Sequence, residues 1–235
     1  MKIAILSDIH GNIYALRSVL ADAKALGVEK ILVLGDIVGY YYYPGEVLDL
    51  LSNWDYTFIR GNHEDILSAI LHGKADEALI FKKYGSAHFK AAKELTEAQI
   101  AFLTQSPEQL VLQLDGVNIL MCHGTPWDHN AYLYPDSPVT LLEKCNIKDM
   151  DFVFIGHSHY AFQHITSGSV LINAGSVGQS RKKGGLAQWV LLDTMSSKAD
   201  FMTSAYNVKP LLADIDFIDP GHAYLSKILT RANEV

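Results

Sequence analysis

The sequence predicts an α/β protein in which two β-sheets pack against each other and helices lie outside them. In the first half, short apolar runs at residues 2–6 and 31–34 flank an amphipathic stretch at 12–27, the pattern of a strand-helix-strand unit. In the second half, three pairs of apolar runs indicate β-hairpins. Sheets with an apolar face bury it against another layer, so a two-sheet core is expected. No linker rich in Pro, Gly or Ser separates the halves, which favours a single domain over residues 1–235.

The elements of the first half alternate between strands and helices. The runs KIAIL and ILVL end abruptly in Ser-Asp and Gly-Asp, which is typical of buried strands. Gly27 is expected to end the helix between them. A third strand is expected in YTFIRGNHED, residues 56–65, with a helix that begins near Asp65. The Ala-, Lys- and Glu-rich stretch from about 64 to 104 is predicted to be helical. The apolar face of the first helix comprises Ile13, Leu16, Val19, Leu20 and Ala23.

The elements of the second half come in hairpins. LVLQLDGVNILMCHG, residues 110–124, places two apolar runs around an Asp-Gly pair, a strong hairpin signal. AFQHITSGSVLINAGS, residues 161–176, repeats the pattern around a Ser-Gly pair. Residues 186–206 are predicted to form a third strand pair that completes a sheet, and residues 207–235 to form a C-terminal tail.

Composition and charge disfavour several classes of function. The net charge of −7 repels a polyanion, so binding of long nucleic acids is not expected, whereas a small phosphorylated substrate held by metal ions remains compatible. No apolar run has the length of a signal peptide or a membrane span. The two cysteines, Cys122 and Cys145, have no paired spacing. We therefore expect a soluble cytoplasmic protein without a membrane partner; its oligomeric state is not predicted.

Polar side chains that bind metals follow the predicted strands. Loops at the ends of strands converge in open α/β sheets, and Asp, Asn and His supply the oxygen and nitrogen atoms that divalent transition metals prefer. Residues two positions apart in an extended segment point to the same side, so two pairs among them are expected to face one pocket each. The residues are Asp8, His10, Asp36, Asn62, His63, His123, His157 and His159.

The number of these residues indicates two metal ions. Seven of them, all except His63, exceed the four to six ligands that one ion takes, whereas two ions that share a bridging carboxylate fit. Taken singly, each Asp is equally explained as a turn residue and each His as a hydrogen-bonded core residue. Their occurrence in five separate elements favours the metal interpretation. Mixed imidazole and carboxylate ligands suit Mn²⁺ or Fe, which we favour, and also Zn²⁺, Ni²⁺ and Co²⁺.

Five segments resemble, in order, the motifs of the calcineurin-like metallophosphoesterases: SDIHG, LGDIVG, RGNHED, CHGTP and IGHSH. The resemblance covers residues 1 to about 180 and implies a four-layer αββα sandwich, with two mixed β-sheets packed face to face, flanking helices and a two-metal phosphoester hydrolase site. It implies one ion held by Asp8, His10 and His159, a second held by Asn62, His123 and His157, and a bridge formed by Asp36.

The resemblance also implies roles for two residues beside the metals. His63 is implied to donate a proton to the leaving oxygen and to contact the phosphoryl group. Glu64 is implied to orient His63, although a carboxylate at the start of a helix is an equally good interpretation. Two ions would activate a bridging hydroxide, so no nucleophilic side chain is needed, and Cys122 is expected to fill the core.

Local sequence narrows the branch of the family. Ser/Thr protein phosphatases share RGNHE, but their Gly-Asp-x-x-Asp-Arg-Gly motif is GDIVGYY here, without its arginine. GDIVGYYYYPGEV, HGTPWDHNAYLYP and NAGSVGQSR instead resemble a bacterial and archaeal branch of small phosphodiesterase-like proteins. We therefore expect a phosphodiesterase for small phosphorylated or nucleotide substrates. The alternatives are a phosphomonoesterase of the protein-phosphatase or dinucleoside-polyphosphate-hydrolase type, and a non-catalytic protein-binding scaffold.

Candidate substrate contacts lie outside the motifs. Arg181 is the best candidate for a phosphate contact in its basic run, and Tyr40 and Tyr41 could stack on a nucleobase or pack in the core. The aromatic residues of the 127–134 segment could form a pocket wall or pack within their loop. The remaining histidines match no motif and are expected to be structural or exposed; they are His72, His88, His129, His164 and His222.

Overall fold

The computed structural model describes residues 1–232, which form two five-stranded mixed β-sheets with flanking helices. The strands are β1 (Lys2–Leu6), β2 (Lys30–Val33), β3 (Tyr56–Phe58), β4 (Gln109–Leu114), β5 (Val117–Cys122), β6 (Phe152–Ile155), β7 (Phe162–Ile165), β8 (Val170–Asn173), β9 (Leu186–Asp193) and β10 (Lys198–Ala205). The helices are α1 (Ile13–Ala25), α2 (Pro44–Leu51), α3 (Asn62–Leu71), α4 (Glu77–Tyr84), α5 (Ala87–Glu94), α6 (Glu97–Gln105), α7 (Val139–Glu143), α8 (Lys209–Ile218) and α9 (Ala223–Leu229).

Each sheet contains three adjacent parallel strands and two antiparallel pairings. The first sheet has the order β10-β9-β1-β2-β3, in which β1, β2 and β3 are parallel. The second has the order β4-β5-β6-β8-β7, in which β5, β6 and β8 are parallel. The predicted strand-helix-strand unit and all three predicted hairpins are confirmed. Because parallel strands end at the same edge of a sheet, the loops that follow them can meet.

The core lies between the sheets and extends under the helices. Ile3 and Ile5 of β1 pack with Ile119 of β5 and Phe154 of β6 in one buried cluster, so the two sheets meet face to face. The opposite face of the first sheet is covered by α1, which buries the predicted apolar stripe. The outer face of the second sheet is covered by a thinner layer that includes Leu142 of α7. The four-layer αββα arrangement is therefore confirmed.

Two predicted features of the helices differ from the structure. Helix α3 begins at Asn62 rather than near Asp65, because the Glu64 side chain accepts the N–H of Gly61 and closes the first turn early. The helical stretch from 64 to 104 is divided among four helices, with left-handed Gly73 and Gly85 at two of the breaks.

The C-terminal segment is more structured than the predicted tail. Within 207–235 the chain forms α8 and α9, and residues 233–235 lie outside the described residues. Both helices pack against a run of tyrosines: Tyr41 and Tyr42 share a buried cluster with Leu211, Ile215, Leu225 and Leu229. The sequence pattern of the tail alone does not reveal this, since its apolar partners lie more than a hundred residues away along the chain.

Candidate metal centre and substrate pocket

Five of the seven predicted ligands have an unusual backbone conformation. The φ angles are +53° for Asp8 and His10, +57° for Asp36, +64° for His157 and +61° for His159. The expectation that residues two apart converge because the segment is extended is therefore wrong. They converge because left-handed turns direct the chain into the site, and hydrogen bonds hold those turns in place. Among these bonds, the His10 N–H donates to the Asp36 carbonyl at 2.9 Å, which ties the loop after β1 to the loop after β2.

Asp8, His10 and His159 form one cluster of ligand atoms. Nε2 of His159 lies 3.2 Å from Oδ1 of Asp8 and 3.1 Å from Nε2 of His10. The other oxygen of Asp8 accepts the N–H of His157 at 3.0 Å, which joins the two sheets across the site. All three side chains are buried, and their ligand atoms lie close enough together to hold one metal ion.

Asn62, His123 and His157 form a second cluster. Nε2 of His123 lies 3.0 Å from Oδ1 of Asn62 and 3.1 Å from Nδ1 of His157. Asn62 enters from the first turn of α3, whereas His123 and His157 follow β5 and β6. The two sheets therefore contribute jointly to this cluster, as the motif assignment predicts.

Asp36 lies between the two clusters. Its Oδ2 is 3.8 Å from Nε2 of His10 on one side and 3.3 Å from Nε2 of His123 on the other. Its Oδ1 accepts the backbone N–H of His63 at 2.9 Å, which fixes the carboxylate. This is the position that a bridging carboxylate requires.

The hydrogen bonds of the histidines show that the site fits cations. Four imidazoles point their outer nitrogens at backbone carbonyls: Nδ1 of His10 at Val38 (2.9 Å), Nδ1 of His123 at Leu34 (2.7 Å), Nδ1 of His159 at Gln179 (3.0 Å) and Nε2 of His157 at Asn130 (3.2 Å). A carbonyl accepts only, so each outer nitrogen carries a proton, and each inner nitrogen presents a lone pair when its imidazole is neutral. Within the described residues, buried Oδ1 of Asp8 also has no hydrogen-bond donor. Lone pairs facing one another in this way need positive charge between them.

The electrostatics of the cluster favour the same conclusion. Burial lowers the pKa of His10 and of His157 to about 4, so both present neutral imidazoles that can ligate a metal. For His123, burial opposes protonation, but the carboxylates of Asp36 and Asp8 raise its pKa to about 10. Without metal, a proton on His123 thus compensates part of the carboxylate charge, and a metal ion would take its place.

His63 lies beside the clusters and is held by aromatic neighbours. Its Nε2 is 4.0 Å from Oδ2 of Asp36, and its Nδ1 is 3.1 Å from Nε2 of His88. The rings of His63 and His88 stack, with centroids 5.0 Å apart, and Tyr84 packs edge-on against His63. Gly39 leaves room for this ring, since a Cβ at that position would lie 2.0 Å from Nδ1 of His63. The sequence analysis did not predict the role of His88, because no motif marks it.

Glu64 contacts the backbone rather than His63. Its two carboxylate oxygens accept the N–H groups of Asp36 (2.9 Å), Ile37 (2.8 Å), Val38 (3.1 Å) and Gly61 (2.8 Å). Glu64 therefore binds the loop that carries Asp36 to the start of the helix that carries Asn62 and His63. Any effect of Glu64 on the position of His63 is therefore indirect, through the backbone that the carboxylate binds.

A cavity of about 270 Å³ opens above the two clusters. Its walls contain the predicted contacts Tyr40 and Arg181, and also Arg231, which the sequence analysis did not single out. Tyr132 and Tyr134 line the cavity, and Tyr132 stacks on His157 at a centroid distance of 3.8 Å.

Other aromatic and histidine candidates lie away from the cavity. Tyr41 is fully buried and donates its hydroxyl to the Leu225 carbonyl at 3.3 Å, so core packing describes it and the stacking expectation for it is wrong. Trp127 packs against Lys144 near the surface. Three of the unassigned histidines make local contacts: His72 with Ser68, His164 with Glu143, and His222 with Phe81. His129 lies beside His123, with Nε2 3.2 Å from Oδ2 of Asp65.

Comparisons with known proteins agree with this geometry. Residues 1–197 match the family described as the calcineurin-like phosphoesterase superfamily domain. The chain is 32% identical over 229 residues to an uncharacterized protein of Methanocaldococcus jannaschii, a match that covers 88% of each. A hypothetical protein of Pyrococcus horikoshii has a similar structure, with a TM-score of 0.83, 23% identity and coverage of 100% and 99% of the two chains. A metallophosphoesterase from Sphaerobacter thermophilus follows, with a TM-score of 0.78, 24% identity and coverage of 97% and 98%.

None of the helices in residues 1–232 has the length and apolar character needed to cross a bilayer.

Proposed function

The chain belongs to the calcineurin-like phosphoesterase superfamily and is a metal-dependent phosphoester hydrolase, and we propose that it cleaves small phosphodiesters with two divalent transition-metal ions. The observation that carries the proposal is the pair of acceptor-rich clusters with Asp36 between them. One ion would be held by Asp8, His10 and His159, and the other by Asn62, His123 and His157. Mn²⁺ or Fe is the metal we propose, since mixed imidazole and carboxylate ligands suit both.

When bound, two such ions supply an activated water as the nucleophile and neutralise charge that builds on the phosphoryl oxygens. The protein's own task is then to orient the substrate and to supply a proton to the leaving oxygen. His63 suits this second role because its Nδ1 is engaged by His88, which leaves Nε2 directed at the cavity. A cysteine nucleophile is disfavoured, since burial raises the pKa of the Cys122 thiol to about 12.

The walls of the cavity support a diester rather than a phosphoprotein as substrate. Tyr40, Tyr84 and Tyr132 present rings around the clusters, and such rings give apolar contact to organic groups on both sides of a phosphate. Arg181 lines the same cavity and can donate to substrate oxygens.

The test combines metal analysis with hydrolysis. We expect the purified protein to bind two transition-metal ions and, with Mn²⁺ supplied, to cleave bis(4-nitrophenyl) phosphate faster than 4-nitrophenyl phosphate. Asp36→Asn is expected to lower the occupancy of both ions, because one carboxylate serves both clusters. Asp65→Asn is the matched control, since it neutralises a half-exposed carboxylate on the same helix as Asn62.

The outcomes separate the alternatives. Two tightly bound ions and full activity in Asp36→Asn would show that Asp36 does not bridge. A preference for the monoester would favour the phosphomonoesterase alternative. Two bound ions without hydrolysis of either ester would favour the non-catalytic scaffold.

A further inference from the structure

Among residues 1–232, two arginine side chains line the cavity without a carboxylate paired to them. Arg181 and Arg231 both line it, and Asp36, which lies between the metal clusters, is the one carboxylate among the described lining residues. Within residues 1–232 neither guanidinium forms an ion pair with a carboxylate. Charged side chains that are partly withdrawn from water are usually paired, so an anion is missing from this arrangement.

Arg181 is held in a fixed position relative to the metal ligands. Its backbone N–H donates to the carbonyl of His159 at 3.5 Å, and its guanidinium donates to the hydroxyl of Tyr224 on α9. Its own carbonyl accepts a hydrogen bond from the guanidinium of Arg231. These acceptors are neutral oxygens, so they orient the two guanidinium groups without cancelling their charge. Each guanidinium has five N–H donors, and most of them are left for a ligand.

Arg231 reaches the cavity because the C-terminal segment is docked on the loop after Arg181. The Gly184 N–H donates to the Arg231 carbonyl at 2.9 Å. A Cβ at Gly184 would lie 2.2 Å from the carbonyl oxygen of Leu229, so the contact depends on glycine at this position. The segment that the sequence analysis treated as a tail therefore completes the cavity.

Flat rings lie beside these cations. Tyr40 is within ring-contact distance of both Tyr84 and Tyr224, with centroids 5.2 and 6.4 Å away. A ligand that combines a planar ring with an additional negative charge would use both the rings and the arginines. Guanidinium groups match phosphate oxygens in geometry, because two parallel N–H bonds can reach two oxygens of one group.

We propose that Arg181 and Arg231 bind a second phosphate of the substrate, distinct from the phosphoryl group at the metal centre. The inference rests on the proposed function and narrows its substrates to phosphodiesters of a ring-bearing molecule that carries another phosphate. The two subsites would bind different phosphates. The metal ions would bind the reacting phosphoryl group, and the two arginines would bind the second phosphate, which stays intact.

A pair of matched esters tests the proposal in the metal-loaded enzyme. The 4-nitrophenyl ester of thymidine 5′-phosphate and the same ester with a 3′-phosphate have one leaving group and one reacting diester, and they differ by the second phosphate. We expect the 3′-phosphate to raise kcat/KM by about 10-fold or more, the scale of one charge-assisted contact. Arg231→Gln should remove this advantage and leave the hydrolysis of the ester without a 3′-phosphate nearly unchanged. Lys183→Gln, which removes an exposed charge from the same loop, should change neither.

A binding measurement keeps the two proposals separable. By calorimetry, the metal-loaded protein should bind thymidine 3′,5′-bisphosphate more tightly than thymidine 5′-phosphate, and the difference should vanish in Arg231→Gln. Equal losses of kcat/KM for both esters in Arg231→Gln would overturn the proposal, because they would mean that Arg231 contacts the reacting phosphate. Equal binding of the two nucleotides by the unchanged protein would also overturn it. Hydrolysis of neither ester, with the binding difference intact, would instead refute the proposed function alone.

Discussion

Glu64 is predicted to hold the metal centre together through the backbone, and Glu64→Gln tests this. Its carboxylate accepts four N–H groups, two at each oxygen: Oε1 from Ile37 and Val38, and Oε2 from Asp36 and Gly61. The side chain is fully buried. Glutamine keeps the shape of the side chain but replaces one of the two acceptor oxygens with a donating NH₂ group.

The expected magnitude follows from the donors that lose their acceptor. Whichever way the amide is oriented, two backbone N–H groups face an NH₂ group, and each buried donor left without an acceptor costs about 1–3 kcal/mol. The gross loss is therefore about 2–6 kcal/mol, which is a large part of a typical stability of about 5–15 kcal/mol. Removing the buried charge offsets some of this loss, since burial and the neighbouring Asp36 disfavour ionised Glu64 and raise its pKa to about 8.

The assay is denaturant unfolding of the metal-free protein, followed by metal analysis of the folded variant. Glu64→Gln should unfold at lower denaturant concentration and should also bind less metal, because the loop with Asp36 loses one or two of its three hydrogen bonds to this side chain. Asp65→Asn is again the control, since Asp65 is half exposed and contacts Arg60 and His129 rather than the loop with Asp36. Unfolding at the wild-type midpoint together with two tightly bound ions would refute the reasoning.

Three further predictions concern the histidines. His63→Gln should keep both metals and lower kcat by about 10²–10⁴-fold. The loss of kcat should be smaller for nitrophenyl esters than for alkyl esters. Loss of metal in this variant would show that His63 is a ligand. Without metal, the neighbouring carboxylates raise the pKa of His123 to about 10. Protonation of His123 therefore stabilises the metal-free fold fully below about pH 6.5, and this stabilisation is lost as the pH rises through 10. Metal binding near neutral pH should then release a proton, measurable by calorimetry in buffers of different ionisation heat; no release would contradict the assignment. His88→Leu should lower kcat with metal content unchanged, and His88→Gln should restore part of it; equal loss in both would limit His88 to packing.

The convergence of the candidate ligands could be predicted from the sequence because each of them follows a strand directly or within a few residues. A short apolar run that stops at Asp, Asn or His indicates both a strand and a candidate ligand that follows it. This pattern predicted Asp36 and the members of the two clusters. It also predicted the hairpins and the face of α1, whose periodicities are carried by neighbouring residues. The features that could be predicted are therefore those that depend on short stretches of chain.

The residues that the sequence did not predict act over long distances in the chain. His88 reaches His63 from another helix, and Arg231 reaches the cavity because the C-terminal helices pack on Tyr41 and Tyr42. Neither contact leaves a local pattern. The same packing explains why adjacent tyrosines have different surroundings: Tyr40 lines the cavity, whereas Tyr41 is buried in the core.

The left-handed backbone at the ligands explains why these residue types occur there. Non-glycine residues with positive φ are uncommon, and each such site costs of order 1–3 kcal/mol unless its surroundings hold it. Asp, Asn and His are the exceptions that enter this region several-fold more often, and they are also metal ligands. Replacing Asp8 or Asp36 with alanine would therefore remove a ligand and add backbone strain at once, so a loss of metal could not be assigned to either cause. Asparagine keeps the backbone preference, removes the charge and retains one oxygen that can accept the His63 N–H, so Asp36→Asn tests the proposed bridging role without added backbone strain. We expect Asp36→Ala to lose more stability in the metal-free protein than Asp36→Asn, as denaturant midpoints would show. Equal midpoints would mean that the surrounding hydrogen bonds, rather than the residue type, maintain the turn.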